Sequence, residues 1–166
     1  KERDSIDLRK YHKEDVSKFD LLVLSPGISV NAPIAQMFRD QEKPVWSEIE
    51  LAYQASKGRI AAITGTNGKT TTTALTGEIM KGYYESSFVV GNIGIPYTSV
   101  ALDTKEDSVT TAEISSFQLE TIVDFKPDVC AVLNITPDHL DRHGTVEVYA
   151  QTKESIGKNQ TKDQVM

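Results

Sequence analysis

At 166 residues, with 39% hydrophobic and 25% charged side chains, the chain has room for one globular domain, or one and part of a second. Its formal charge of −6 excludes a broad basic groove for nucleic acid, and no apolar run approaches the roughly 20 residues that span a bilayer. The start has no signal-peptide pattern, and the single Cys130 sits in an apolar run over 129–133, which reads as a buried thiol in a reducing, cytoplasmic compartment.

Residues 1–19 are charged and weakly patterned. The run Phe19-Asp20-Leu21-Leu22-Val23-Leu24 predicts a buried strand that feeds the turn Ser25-Pro26-Gly27-Ile28. In an open α/β sheet, ligands sit in the loops after the carboxyl ends of strands. Pro26 and Gly27 force a turn there, leaving the Gly27 N–H and the Ser25 hydroxyl available; a plain turn is the simpler reading of these residues alone. Ile34, Met37 and Phe38 at helical spacing predict a helix over 33–41. Pro44-Val45-Trp46 predicts a short strand. Ser47, with Glu50 three residues on, predicts a capping box that opens a helix running to about residue 56.

The stretch that organises the chain follows. An apolar run over 60–63 stops abruptly at Thr64-Gly65-Thr66-Asn67-Gly68-Lys69-Thr70-Thr71, and a helix is predicted over 69–81. Strand, tight loop and helix make a phosphate cradle: the loop N–H groups point inward, and the helix start adds unpaired N–H groups and the positive end of its dipole. Gly65 and Gly68 let the backbone approach an oxyanion, Lys69 reaches the outer phosphates, and the Thr70 hydroxyl is placed for a magnesium ion. The full consensus asks for glycine five residues before Gly68, where Ile63 stands, so this is a shortened Gly-x-x-Gly-Lys-Thr form. The plainer alternative is an ordinary strand-to-helix turn with a surface lysine.

Phe88-Val89-Val90 predicts a short strand entering Gly91-Asn92-Ile93-Gly94. Residues 108–112 predict a strand delivering Glu113. Residues 129–135 predict the clearest buried strand, delivering Thr136-Pro137-Asp138-His139, and a last helix is predicted over 145–158. Strands alternating with helices give an α/β class with a mainly parallel sheet. Strand ends in such a sheet share one edge, so Lys69, Thr70, Glu113, Asp138 and His139 are expected to converge, as ligands for hard divalent ions beside a triphosphate. Singly, Glu113 also reads as a solvated strand end and His139 as a surface or capping residue. Ser115-Ser116-Phe117-Gln118-Leu119-Glu120 mixes polar and apolar residues directly after Glu113. It reads either as contacts to a polar substrate or as a turn with Phe117 and Leu119 buried. From spacing alone, Lys153 is a solvated helix lysine.

Gly65–Thr70, Gly91–Gly94, Ser115–Glu120 and Asn134-Ile135-Thr136-Pro137-Asp138-His139-Leu140-Asp141-Arg142 occur here in the order of the Mur ligase family, the ATP-dependent amide-bond-forming enzymes of peptidoglycan synthesis. Ser25–Ile28 also fits, and the resemblance runs from about residue 19 to residue 160. It implies that residues 1–46 are the back of a Rossmann-like UDP-substrate domain and residues 47–166 the front of a P-loop ATPase domain. The remainder of that domain and a C-terminal domain would then be absent, leaving a fragment that is inactive alone. The Ser-Ser-Phe-Gln-Leu-Glu string is similar to that of the member that adds D-glutamate to UDP-N-acetylmuramoyl-L-alanine.

The resemblance also implies roles for single residues. Gly65, Thr66, Asn67, Gly68, Lys69, Thr70 and Thr71 would hold ATP, with Lys69 on the β- and γ-phosphates. Two Mg²⁺ ions are expected, Thr70 serving the first and Glu113 and His139 the second. Asn92, Ser115 and His139 would contact the UDP-muramoyl substrate, and Ser25, Pro26 and Gly27 its diphosphate. Lys153 matches the family's carbamylated lysine, so Lys69, His139 and Lys153 form the implied catalytic set. The full-length enzyme is expected to be monomeric, with no nucleic-acid or membrane partner. The rival readings are a folylpolyglutamate synthase-like ligase of the same superfamily, a non-catalytic nucleotide-binding module, and a motor or signalling NTPase. The last would need an aspartate ending an apolar strand.

Overall fold

A computed structural model describes residues 13–92 and 94–166. Residues 1–12 of the weakly patterned start, and Ile93 within the Gly-Asn-Ile-Gly motif, lie outside the described residues. Two parallel sheets organise the rest. In the smaller, β1 (Leu22–Leu24) pairs with β2 (Val45–Ser47), Leu22 opposite Val45 and Leu24 opposite Ser47. The crossover is α2 (Pro33–Arg39), opened by Pro33, whose missing N–H is an orphan at a helix start in any case. Ile34 and Phe38 of α2 pack with Val16 of α1 (Lys13–Val16) in a small core of their own. From β2 the chain runs directly into α3 (Glu48–Ala55).

The larger unit contains β3 (Arg59–Thr64), α4 (Lys69–Lys81), β4 (Ser87–Gly91), β5 (Val109–Glu113), α5 (Ser116–Leu119), β6 (Val129–Val132), α6 (Leu140–His143) and α7 (Val146–Glu154). Its strand order is β4-β5-β3-β6 and every pairing is parallel. β5 is buried along its whole length, and Ile60, Ala62, Val90, Ala112, Ile114 and Phe125 share the core. α4 packs tightly against β4 because Gly77 carries no side chain; a Cβ there would come within 2.2 Å of Val89 Cγ2. Parallel pairing places Thr64, Gly91, Glu113 and Val132 at one edge, with Gly91 and Ile63 each opposite Glu113 and Thr64 opposite Val132. The α/β class with parallel sheets is therefore as expected. Among the described residues, no helix is long and apolar enough to cross a membrane.

Several boundaries differ from the sequence reading. β1 starts at Leu22, and Phe19 is 46% exposed, because the N–H groups of Lys18 and Phe19 turn back onto the carbonyls of Asp15 and Val16. β6 stops at Val132 rather than 135, and its first residue, Val129, is 49% exposed on a sheet edge. α7 ends at Glu154 and tightens into a 3₁₀ turn over Ser155–Gly157. The capping box at Ser47 does not form. Ser47 has the extended backbone of an N-cap, but its buried hydroxyl has no partner. Glu50 instead accepts the N–H groups of Val123, Asp124 and Phe125 at 2.8, 3.0 and 3.0 Å. Three charge-assisted bonds to otherwise orphaned backbone donors outweigh one cap bond.

Candidate active site

The phosphate loop is built by glycine and braced from a neighbouring strand. Gly65 has φ 147° and a Cβ there would lie 3.1 Å from Leu133 Cβ; Gly68 has φ 82° and stands as the N-cap of α4. Both are backbone states that favour glycine. The peptide after β6 then locks the loop. Thr66 N donates to Asn134 O at 3.0 Å, Asn67 N to Asn134 Oδ1 at 2.9 Å, and Asn134 Nδ2 to Asn67 O at 3.0 Å. Thr66 Oγ1 accepts from Thr136 N at 3.0 Å and lies 3.2 Å from the Tyr149 hydroxyl. Lys69 Nζ donates to Gly65 O and Thr66 O, each at 2.9 Å, so its amine is held over the loop. Thr70 and Thr71 lie exposed on the first turn of α4.

Beside the loop, Thr70 Oγ1 donates to Glu113 Oε2 at 2.8 Å, and Asn92 Nδ2 donates to Glu113 Oε1 at 3.3 Å. Thr70 and Glu113, expected on separate ions, are thus joined directly, with the carboxylate 2% exposed. Asn92 turns its amide onto Glu113. The Thr70 hydroxyl and the Glu113 carboxylate are hard oxygen ligands of the kind a divalent ion such as Mg²⁺ takes. Among the described residues no three His, Cys, Asp or Glu side chains gather at one point, and no hydrogen bond or ion pair joins Glu113 to His139.

The opposite wall is α5 with the segment that carries α6. Ser115 forms the capping box that the sequence had suggested for Ser47. Its N–H and hydroxyl each donate to Gln118 Oε1 at 2.9 Å, and Gln118 N donates back to Ser115 Oγ at 3.3 Å. Gln118 is therefore engaged locally and buried, while Ser115 still lines the cleft. His139 caps α6 with φ 50°, a state that costs a non-glycine residue about 1 kcal/mol. Its ring lies 4.9 Å from Phe117, and its N–H donates to Asp138 Oδ1 at 2.9 Å. Behind it, His143 Nε2 lies 3.0 Å from Ser116 Oγ. Burial pulls the His143 pKa down against the opposing pull of Glu120.

Lys153 departs most from its plain reading. It is 2% exposed, with Nζ 3.5 Å from Thr64 Oγ1 and 4.7 Å over the Tyr149 ring. Burial first, and the Lys69 cation second, lower its pKa to about 8, with Asp138 opposing. Near physiological pH such an amine is neutral far more often than an ordinary lysine, and only a neutral amine adds CO₂, so the site fits a carbamate. Lys69, Asn92, Ser115, Ser116, Phe117, His139, Tyr149 and Lys153 line one cleft of about 240 Å³.

The structure also enlists residues that sequence reasoning left without a role. Asn134 braces the loop; its signal was a polar residue ending an apolar run level with the phosphate loop. Tyr149 joins Thr66 to Lys153. Arg142 binds Glu120 with Nε and Nη2 at 3.1 and 2.5 Å, and reaches Pro26 O and Ile28 O at 3.2 and 3.1 Å. It thereby ties the Ser25–Ile28 turn to this wall. Ser25 and Gly27 are exposed on that turn and Pro26 half-buried, and the turn is closed by Ile28 N donating to Ser25 O at 2.9 Å.

The Mur ligase middle domain family matches residues 63–166. A protein named UDP-N-acetylmuramoylalanine–D-glutamate ligase from Lachnospira eligens is 63% identical over 147 residues, which are 89% of this chain and 33% of that protein. A protein of the same name from Thermoanaerobacter sp. (strain X514) is 48% identical over 162 residues, 96% of this chain and 36% of its own length. The chain spans about a third of the length of these curated relatives. Among solved structures, UDP-N-acetylmuramate-alanine ligase MurC from Thermotoga maritima is similar with TM-score 0.54 and 25% identity, over 88% of this chain and 34% of that one. MurF ligase from Thermotoga maritima, in complex with ADP, gives TM-score 0.50 and 21% identity over 88% and 42%, a likeness of fold.

Proposed function

This chain belongs to the Mur ligase family, and from that premise we propose that it carries the ATP-phosphate site, and part of the acceptor site, of a cytoplasmic ligase that adds D-glutamate to UDP-N-acetylmuramoyl-L-alanine. Residues 1–46 would belong to the domain holding the UDP end and residues 47–166 to the ATPase domain. The observation that carries the reading is one cleft lined by Lys69, Asn92, Ser115, His139 and the buried Lys153, with Asn92 donating to the Glu113 carboxylate that Thr70 also binds. D-glutamate as the added residue is supported by the names of the relatives.

In this reading Gly65–Thr71 cradle the ATP phosphates, and Lys69 exchanges its bonds to Gly65 O and Thr66 O for bonds to β- and γ-phosphate oxygens. The alanyl carboxylate attacks the γ-phosphorus in line, giving an acyl phosphate and ADP. The D-glutamate amine then attacks the acyl carbon, phosphate leaves, and the amine loses its proton as the amide forms. Asn92, Ser115 and His139 orient the UDP-muramoyl substrate along the α5 wall. Thr70 would hold one Mg²⁺ and Glu113 with His139 a second, the ions supplying charge neutralisation on the phosphates. A carbamate on Lys153, formed by amine attack on CO₂ with loss of a proton, would convert a cation beside Lys69 into an anion.

The test is ATP-dependent phosphate release by the full chain that carries this sequence, with UDP-N-acetylmuramoyl-L-alanine and a panel of amino acids, and with Lys69→Ala in parallel. Release that requires D-glutamate and disappears in the variant supports the reading. Release with another acceptor points to a different ligase of the superfamily, and ATP binding without release to a non-catalytic module.

A further inference from the structure

Arg142 commits four of its five N–H groups, two to Glu120 and one each to the carbonyls of Pro26 and Ile28. Its guanidinium lies 4.1 Å over Phe117, the ring that packs against His139. The pair with Glu120 is largely shielded, the two side chains being 16% and 13% exposed. A trans peptide is planar, with its C=O and N–H pointing opposite ways. Anchoring the carbonyls of Pro26 and Ile28 on Arg142 therefore turns the N–H groups of Gly27 and Ser29 away from it. Neither N–H has a hydrogen-bond partner among the described residues, and a Cβ on Gly27 would meet nothing within 4 Å. Two unpartnered backbone donors on an exposed turn suit an anion.

We infer that Arg142 is a positioning residue: through the Pro26 and Ile28 carbonyls it presents the Gly27 and Ser29 N–H groups to the diphosphate of the nucleotide-linked substrate. This rests on the ligase reading given under Proposed function and on the Ser25–Gly27 turn serving the diphosphate, as the family resemblance implies. Arg142 does not itself touch the diphosphate. Its planar fork holds two carbonyls and a carboxylate at once, which a lysine cannot do.

The experiment compares the full chain with its Arg142→Lys variant, using calorimetric titration with UDP, with UDP-N-acetylmuramoyl-L-alanine and with a non-hydrolysable ATP analogue, alongside steady-state kinetics. UDP and the UDP-linked substrate are expected to bind at least about tenfold more weakly, the loss of one or two charge-assisted bonds. Affinity for the ATP analogue stays within about twofold, and KM for the UDP-linked substrate rises by more than kcat falls. Unchanged affinity for UDP in a folded variant overturns the inference. So does an equal loss for the ATP analogue, which is what a merely structural role produces. If Arg142→Lys does not fold, Glu120→Gln must show the same split at smaller size, and its absence overturns the inference equally. A parent chain that binds UDP but forms no amide product overturns the ligase reading, while loss of UDP binding in Arg142→Lys would still support Arg142.

Discussion

Two buried glutamates, Glu50 under the loop after α5 and Glu113 at the end of β5, are 0% and 2% exposed yet are held in opposite ways. Glu50 accepts three consecutive backbone N–H groups, from Val123 to Phe125, and the Gln54 amide at 3.0 Å. Those backbone donors cannot turn elsewhere, so this carboxylate is closed to any ligand and serves the architecture. Glu113 accepts from the Thr70 hydroxyl and the Asn92 amide. Both are side chains that can rotate, they come from separate segments, and Asn92 lines the cleft. Burial alone therefore does not mark a functional carboxylate; exchangeable donors beside a cleft do.

Glu113→Gln is the sharpest way to break this contrast. It keeps the shape and removes the charge, so turnover in the phosphate-release assay is expected to fall about 10²–10³-fold while the melting temperature barely moves. A variant that kept its rate and lost its fold would erase the distinction.

Next in size is Lys153. Its folded pKa of about 8 lies below the ordinary 10.5, so the unfolded chain binds more protons between those values. Stability should then rise with pH across that window, with a penalty of up to about 3 kcal/mol fully present below it. Urea unfolding in CO₂-free buffer between about pH 7 and 10 should show this slope in the parent and not in Lys153→Met; equal slopes would refute the burial argument.

Glu50→Gln is expected to cost about 1–3 kcal/mol of stability, because one carboxylate oxygen becomes an amide that cannot accept those N–H groups. KM and kcat should stay at parental values, and a drop in rate at full stability would place Glu50 with Glu113 after all.

The smallest effects separate two helix starts. Thr145→Ala should cost about 1 kcal/mol, since its hydroxyl accepts from Val148 N at 3.3 Å. Ser47→Ala should be neutral or slightly stabilising by chemical denaturation, since its buried hydroxyl has no partner.

Local pattern and chain order by themselves determined the α/β class, the strand-loop-helix around Lys69, the delivery of Glu113 to the end of a strand, and through motif order the family. These are legible because hydrophobic period, glycine placement and strand termination are local properties. Tertiary structure decided which polar groups close on one another. Glu50 left its own helix start for a loop more than 70 residues on, and Ser115 with Gln118 formed the box that Ser47 did not. Asn134 braced the phosphate loop, Arg142 reached back to Pro26, and Lys153, solvated by spacing, was buried beside Thr64 and Tyr149. The physical reason is that a buried polar group must find partners wherever the packed sheet brings them, and a hydrogen bond across most of the chain leaves no periodic trace in sequence.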